Sequence, residues 1–353
     1  MLSHRAPPNV YELEAAGFKA WVIPEGARLM QLWWLDAPHA PRPLCLGFQD
    51  RADYAFDHMA MGAVCGRYGN RIGHAQLHVG THTLQLDSNH ALGHCIHGGA
   101  NGFGVRTWDV ASHSAQHIEL RLTSAHGDQG FPGLCEASIR YTLSDDGVLT
   151  WQACATVDRP CPINLVPHPY WNLDGAPDIT GHRVWVNANE YLPLDALELP
   201  LGLTNVGGTP FDFTTPTSMT YADIHIMDAA LRLRQPPQTG LRAQAQPQLH
   251  TQLQTQRQLH QQPNQPLQLA ATCEAGGLCL SVSTDRPFVH VYAAAGLTQQ
   301  GPQPLGVAHQ YGAGLCLETE DWPNGPANGR TEVWYDADHA YTHTAQWAFK
   351  PLP

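Results

Sequence analysis

Ala137-Ser-Ile-Arg-Tyr-Thr-Leu-Ser-Asp-Asp-Gly-Val-Leu-Thr-Trp-Gln-Ala-Cys-Ala-Thr-Val157 is the stretch whose reading decides the fold class. Ile139, Tyr141 and Leu143 alternate with polar partners, Asp145-Asp146-Gly147 supplies a turn, and Leu149, Trp151 and Ala153 alternate again. Apolar residues at every second position on both sides of an Asp-Gly turn describe a β-hairpin with one buried face. The same signature recurs at Ala20–Ile23, Leu29–Leu35, His117–Thr123, Arg183–Val186, Leu278–Ser283, Phe288–Ala293 and Gly314–Glu318. Between these runs, 32 glycines and 28 prolines cut the chain into short apolar segments in which the helical i, i+3, i+4 rhythm is the minority pattern. No long helices alternate with the strands, which disfavours a doubly wound or (β/α)-barrel fold. The expected class is all-β.

The 353 residues match two domains at roughly 150 residues each, yet a single large β unit also accommodates such a length. Apolar residues make up 43% and charged residues 14%, the balance of a globular chain with a large core. Nineteen Lys plus Arg against thirty-one Asp plus Glu leave a net charge of −12, which works against binding nucleic acid or an anionic membrane. The only lysines are Lys19 and Lys350, so neither a GxxxxGK[ST] phosphate loop nor a Schiff-base lysine exists between them. Nine cysteines without a CxxC pair read as buried thiols in a reducing compartment, and the cytoplasm is the expected location. Met1–Val10 lacks the apolar core of a secretory signal, and no apolar run approaches the ~18 residues of a membrane span. Residues 234–268 are dominated by Gln, between the strand-like runs Ala229–Leu233 and Gly277–Ser283, and are expected to form an insertion within a single domain, 1–353.

Several segments carry residues capable of chemistry. Twenty-one histidines raise the question of a metal, and His94-Cys95-Ile96-His97 is the tightest grouping; with no HExxH and no paired CxxC beside it, no metal site is assigned. Gly66–Gly73 and Gly98–Gly104 are rich in glycine but lack GxGxxG spacing; they place Arg67, Asn70, Arg71, His97, Asn101 and Arg106 among glycines and aromatics, a mixture suited to a small polar ligand. His168 stands between Pro167 and Pro169 and before Tyr170 and Trp171, which suits either a rigidly aimed side chain or a packed structural histidine. In Gly314-Leu-Cys-Leu-Glu-Thr-Glu320, Cys316, Glu318 and Glu320 share one face of a strand. Buried carboxylates are rare without partners, so that face is either wetted or lines a site.

Taken in order along the chain, these segments resemble the aldose 1-epimerase (galactose mutarotase) family. The likeness rests on Gly66–Ile72, on His97-Gly-Gly followed by Trp108, on Gly130-Phe-Pro-Gly133 leading to Tyr141-Thr-Leu143, on Asn164–Leu173, on Gly208-Thr-Pro-Phe-Asp-Phe213, on Thr284–Tyr292 and on Leu315-Cys-Leu-Glu-Thr319. It spans residues from Gly62 to Pro323, the Gln-rich segment excepted. The resemblance implies a large β-supersandwich that binds a free aldose, with no cofactor. It implies that His168 is the general acid at the ring oxygen and Glu318 the general base at the anomeric hydroxyl. Arg71, His97 and an aspartate, for which Asp228 is chosen over Asp223, hold sugar hydroxyls; Asn70 shares that site, and Tyr170 or Trp171 stacks on the ring. At neutral pH a glutamate with an ordinary pKa near 4.3 is already a base, so His168, near 6.5, is expected to need a neighbouring charge to stay protonated.

Two departures flank the expected pair. Pro167 and Pro169 replace polar residues common in the family, and Glu320-Asp321 stands where a Gln-His pair is frequent. Three other readings remain. A hexose 6-phosphate epimerase of the same fold would use Arg67, Arg71 and Arg106 at a pocket rim. A sugar-binding module without turnover would have lost the acid or the base. A metal-dependent sugar isomerase would need ligands that the sequence does not supply. Nothing in the sequence bears on the oligomeric state.

Overall fold

The deciding hairpin forms as expected, from strands Cys135–Leu143 and Val148–Val157, with Ile139 opposite Ala153, Tyr141 opposite Trp151 and Leu143 opposite Leu149. Gly147 closes the turn at φ 78°, a left-handed conformation that suits glycine. The computed structural model describes residues 6–234, 266–298, 301 and 304–352. Most of the Gln-rich 234–268 segment therefore lies outside the described residues.

Around the hairpin runs a nine-stranded antiparallel sheet in the order Asp109–His113, His117–Ser124, Cys135–Leu143, Val148–Val157, Tyr341–Pro351, Leu278–Thr284, Gln268–Ala275, Arg183–Val186 and Thr217–Ser218. A six-stranded sheet follows the order Tyr170–Trp171, Leu315–Glu320, Phe288–Tyr292, Asp228–Leu233, Ala188–Tyr191 and Thr204–Asn205. A third sheet joins Tyr11–Ala15, Phe18–Ile23, Arg28–Trp34 and Arg42–Pro43. The only α-helix among the described residues is the single turn and a half of Tyr221–Ile226. None of the described helices is long and apolar enough to cross a membrane.

One connected apolar cluster links the large sheets, with Trp151 and Trp347 of the nine-stranded sheet and Leu315, Leu317, Val289, Val291 and Leu231 of the six-stranded sheet all buried in it. Trp171 belongs to this core, its ring 5.7 Å from Trp347 and 5.6 Å from Phe349. All nine cysteines are free thiols, and all but Cys279 are buried. The alternation read in the sequence is the physical result of strands having one face against this cluster.

Arg67 has a structural task. Its guanidinium is 2% exposed and donates to the Ser124 hydroxyl and to the carbonyls of Ser124, Ala125, Pro132 and Gly133. It ties the glycine-rich segment to the Ser124–Gly133 loop. Replacing Arg67 by Met leaves those buried acceptors unpaired, and the expected loss of stability is about 3 kcal/mol or more in equilibrium denaturation.

Candidate active site

The six-stranded sheet sets out its side chains in rows, because residues opposite one another on neighbouring strands face the same way. One row holds Asp228, Tyr292, Cys316 and Tyr170, and the next holds Ala230, His290 and Glu318. The strand Leu315–Glu320 is buried along its whole length: Leu315 and Leu317 enter the core, while Cys316, Glu318 and Glu320 face the other way. That face is the floor of a cavity of about 350 Å³, lined among others by Met59, Asn70, Arg71, His97, His168, Tyr170, Asp228, His290, Tyr292 and Glu318. Its size suits a monosaccharide-scale ligand.

His168 reaches this floor from a short irregular crossing in which Val166–Pro167 pairs with Val64–Cys65. The flanking prolines cost nothing there, because the amide of His168 is the one that bonds, to the Ala63 carbonyl at 3.0 Å, and its own carbonyl accepts from Gly62 at 2.8 Å. The adjoining segment, 57–61, is organised by the buried Asp57 carboxylate, which accepts from the amides of Met59 and Met61 and pairs with Arg28 at 2.6 Å. Tyr170 donates its hydroxyl to the Met59 carbonyl at 3.0 Å and presents its ring to the cavity.

The glycine-rich segments bring backbone against backbone. Gly98 is left-handed at φ 87°, and a Cβ there would meet the Gly66 carbonyl oxygen at 2.0 Å. This contact sets His97 beside His168, their rings 5.4 Å apart and nearly perpendicular. His97 Nδ1 accepts from the Asn70 amide at 3.3 Å. Arg71 pairs with Glu198 at 2.7 Å and lies 3.9 Å from Asp228. Of the two candidate aspartates, Asp228 lines the cavity, whereas Asp223 is engaged in capping its own helix, its carboxylate accepting from the Thr220 amide at 2.7 Å.

His168 and Glu318 meet, Nε2 to Oε1 at 3.4 Å, with 5% and 4% of their surfaces exposed. Their protonation differs from the sequence expectation. Burial drives the His168 imidazole down to about 4 and the Glu318 carboxyl up to about 8. Each group is pushed toward its neutral form because a charge in this low-dielectric floor loses its hydration. Burial thus favours a protonated Glu318 and a neutral imidazole over an imidazolium facing a carboxylate. Asp228 behaves differently: desolvation pushes it upward, but the hydrogen bond and charge of His290, with Arg71, hold it at about 2.

The expected site residues thus come together: His168, Glu318, Arg71, His97, Asp228, Asn70 and Tyr170 all line one cavity. Trp171 does not. The three arginines of a phosphate-binding rim are not brought together: Arg67 is buried in its cage of carbonyls, Arg106 is paired with Asp128, and of the three only Arg71 reaches the cavity. Sequence reasoning passed over His290 and Tyr292, although His290 is a polar residue in an apolar strand and so carries the signal that marked Glu318. Histidine, cysteine and carboxylate atoms of His168, Cys316 and Glu318 lie within 4.8 Å of one another. Cys316 faces Nδ1 at 3.6 Å and Glu318 faces Nε2, so they flank the imidazole from two sides and suit proton transfer better than a common cation. His94, of the other histidine grouping, spends both ring nitrogens on backbone, at His74 and Leu197.

A family model described as aldose 1-epimerase matches residues 9–347. Aldose 1-epimerase of Escherichia coli is 39% identical over 168 residues, an alignment that takes in 47% of this chain and 46%, about half, of that relative. Galactose mutarotase of Sus scrofa is 27% identical over 344 residues, covering 96% of this chain and 93% of that protein. In fold, the chain superposes on a GalM/aldose epimerase homologue from C. elegans with a TM-score of 0.84 at 23% identity, covering 98% and 99% of the two chains. It superposes on galactose 1-epimerase from Lactobacillus acidophilus with a TM-score of 0.77 at 22% identity, covering 100% and 98%.

The shifted pair has a consequence for stability. Glu318, raised to about 8, contributes stability that is complete below its ordinary 4.5 and is lost as pH rises through 8. His168, lowered to about 4, contributes stability that is complete above its ordinary 6.5 and is lost as pH falls through 4. Glu318→Gln is expected to melt above wild type by a margin that widens between 4.5 and 8, and His168→Asn by a margin that widens between 6.5 and 4. Calorimetry across pH reads both margins, and flat ones would mean that the two groups ionise normally.

Proposed function

Since the chain belongs to the aldose 1-epimerase family, a family of isomerases, we propose that it interconverts the α and β anomers of a free hexose by opening and reclosing the sugar ring. The observation that carries this reading is the buried pair His168 and Glu318, 3.4 Å apart on the floor of a cavity walled by hydroxyl-binding side chains. Ring opening removes a proton from the anomeric oxygen and delivers one to the ring oxygen, two bonds away. The pair holds one transferable proton. Passing it from Glu318 to His168 creates base and acid in a single move, and the sugar's own hydroxyls then replace some of the hydration that burial removed.

Glu318 takes the proton of the anomeric hydroxyl while His168 protonates the ring oxygen, and the C1–O5 bond breaks to give the open aldehyde. Rotation about C1–C2 exposes the other carbonyl face, and the reverse transfers close the ring to the other anomer. Arg71, His97, Asn70 and Asp228 hold hydroxyls, and the Tyr170 ring offers a flat apolar surface to a C–H face of the sugar. No cofactor enters this chemistry.

A phosphorylated substrate is less well served, since Arg71 is the only arginine at the cavity among the described residues and faces Glu198 and Asp228. A binding module without turnover is disfavoured by the presence of both reacting groups in contact. The reading also takes 1–353 as one catalytic unit in which 234–268 is an insertion, supported by the core that joins both large sheets. The free thiols favour a reducing compartment, the cytoplasm.

Polarimetry of freshly dissolved α-D-glucose and α-D-galactose tests the proposal. Wild type is expected to speed the approach to anomeric equilibrium, and Glu318→Gln or His168→Asn to lower kcat by about 10²–10⁴-fold in a folded protein. No acceleration by wild type with any free aldose would sink the reading.

A further inference from the structure

His290 takes no part in the proton transfers above, yet it is bound on both sides. Its Nε2 lies 2.6 Å from Asp228 Oδ1, and its Nδ1 lies 3.3 Å from Glu320 Oε1 and 3.2 Å from the Asn70 amide nitrogen. Across the strand ladder it stands directly opposite Glu318 on one side and the small Ala230 on the other. A neutral imidazole donates from one nitrogen only, so two carboxylates at its two nitrogens are served together by the imidazolium. Glu320 is fully buried, and its Oε1 also accepts from Asn70 at 3.3 Å. A buried carboxylate of this kind needs a cation in contact.

We propose that His290 is a positioning residue: an imidazolium anchored on Glu320 that fixes the Asp228 carboxylate toward the sugar and keeps a positive charge across the ladder from Glu318. The inference rests on the reading of the cavity as an aldose-opening site. Asp228 is the open end of this chain of contacts, with 42% of its side chain exposed, whereas Glu320 is its buried end, at 0%. The anchor therefore transmits the rigidity of the sheet to a side chain that would otherwise rotate in water. The charged and titratable groups facing His290 are Asp228 on its own strand pair, Glu318 and Glu320 on the neighbouring strand, Arg71 beside Asp228, and His97 and His168 across the cavity. Burial disfavours the imidazolium, but the hydrogen bonds and charges of Asp228 and Glu320 outweigh it and raise His290 well above its ordinary 6.5.

The experiment combines kinetics with a readout independent of turnover. Polarimetric kcat and KM are followed across pH for wild type, His290→Gln and Glu320→Gln, each checked for folding by thermal melting. Imidazole NMR titration, with the His290 signal assigned by its loss in His290→Gln, is run on wild type and Glu320→Gln. His290→Gln is expected to raise KM for α-D-glucose by about tenfold, the equivalent of one charged hydrogen bond. It is also expected to move the acidic limb of kcat/KM upward by about one pH unit, because Glu318 loses the neighbouring cation that favours its ionised form. In wild type the His290 signal should stay that of the charged ring beyond neutrality, and in Glu320→Gln it should titrate at lower pH. A folded His290→Gln with unchanged KM and unchanged pH limb overturns the inference, as does a His290 signal that titrates at or below its ordinary range. If wild type opens no aldose ring, the proposed function fails by itself, and the NMR titration still decides whether His290 is the anchored cation.

Discussion

A carboxyl group on a strand almost wholly withdrawn from water is the constraint on which the rest of the site depends. Glu318 lies in the interior of the six-stranded sheet, with core behind it and the cavity before it. Its ionised form is costly there unless charges of the right sign are fixed close by. The neighbouring cations answer that need, His290 across the ladder and Arg71 farther out, while the imidazole in contact, His168, is neutral. The polar floor is thus a set of mutually dependent charges held by backbone register. A one-residue slip of Leu315–Glu320 would turn Glu318 into the core and Leu317 onto the floor.

Much of this was legible in the residues because period-two patterning is a direct record of burial. The hairpin around Asp145-Asp146-Gly147 formed with its turn in place, and Glu318 drew notice as a carboxylate in an apolar strand. His168 was marked by its prolines. What the pattern does not record is which strands meet. The pairing of Tyr170 with Cys316 is what brings His168 to Glu318, and no local rule ties those segments together. Arg67, grouped in the sequence with residues suited to a small polar ligand and with the rim arginines of the phosphorylated-substrate alternative, has a structural place for a related reason: the glycines around it let loop carbonyls close on its guanidinium. Ordinary pKa values also leave out burial, which pushes both members of the central pair toward their neutral forms.

The acidic departure beside the pair, Glu320-Asp321, acquires partners in the structure. Glu320 contacts His290, and Asp321 contacts Arg286 at 2.8 Å, itself held by Asp285 at 3.0 Å. Each acidic residue sits against a cation supplied by Phe288–Tyr292 or the turn before it. The strand facing the cavity therefore carries two carboxylates, Glu318 and Glu320, on the same face.

The strand Tyr341–Pro351 follows every other strand in the chain, yet it lies in the middle of the nine-stranded sheet, between Val148–Val157 and Leu278–Thr284. As the polypeptide leaves the ribosome, those two neighbours present unpaired ladder edges, including the edge of Trp151, until that segment emerges to fill the gap. The largest sheet is therefore closed by pairings of long sequence separation, Val148–Val157 with Tyr341–Pro351 among them. The joint in the middle of that sheet is one eleven-residue strand, so its loss would part the sheet into two open edges and not merely fray its rim.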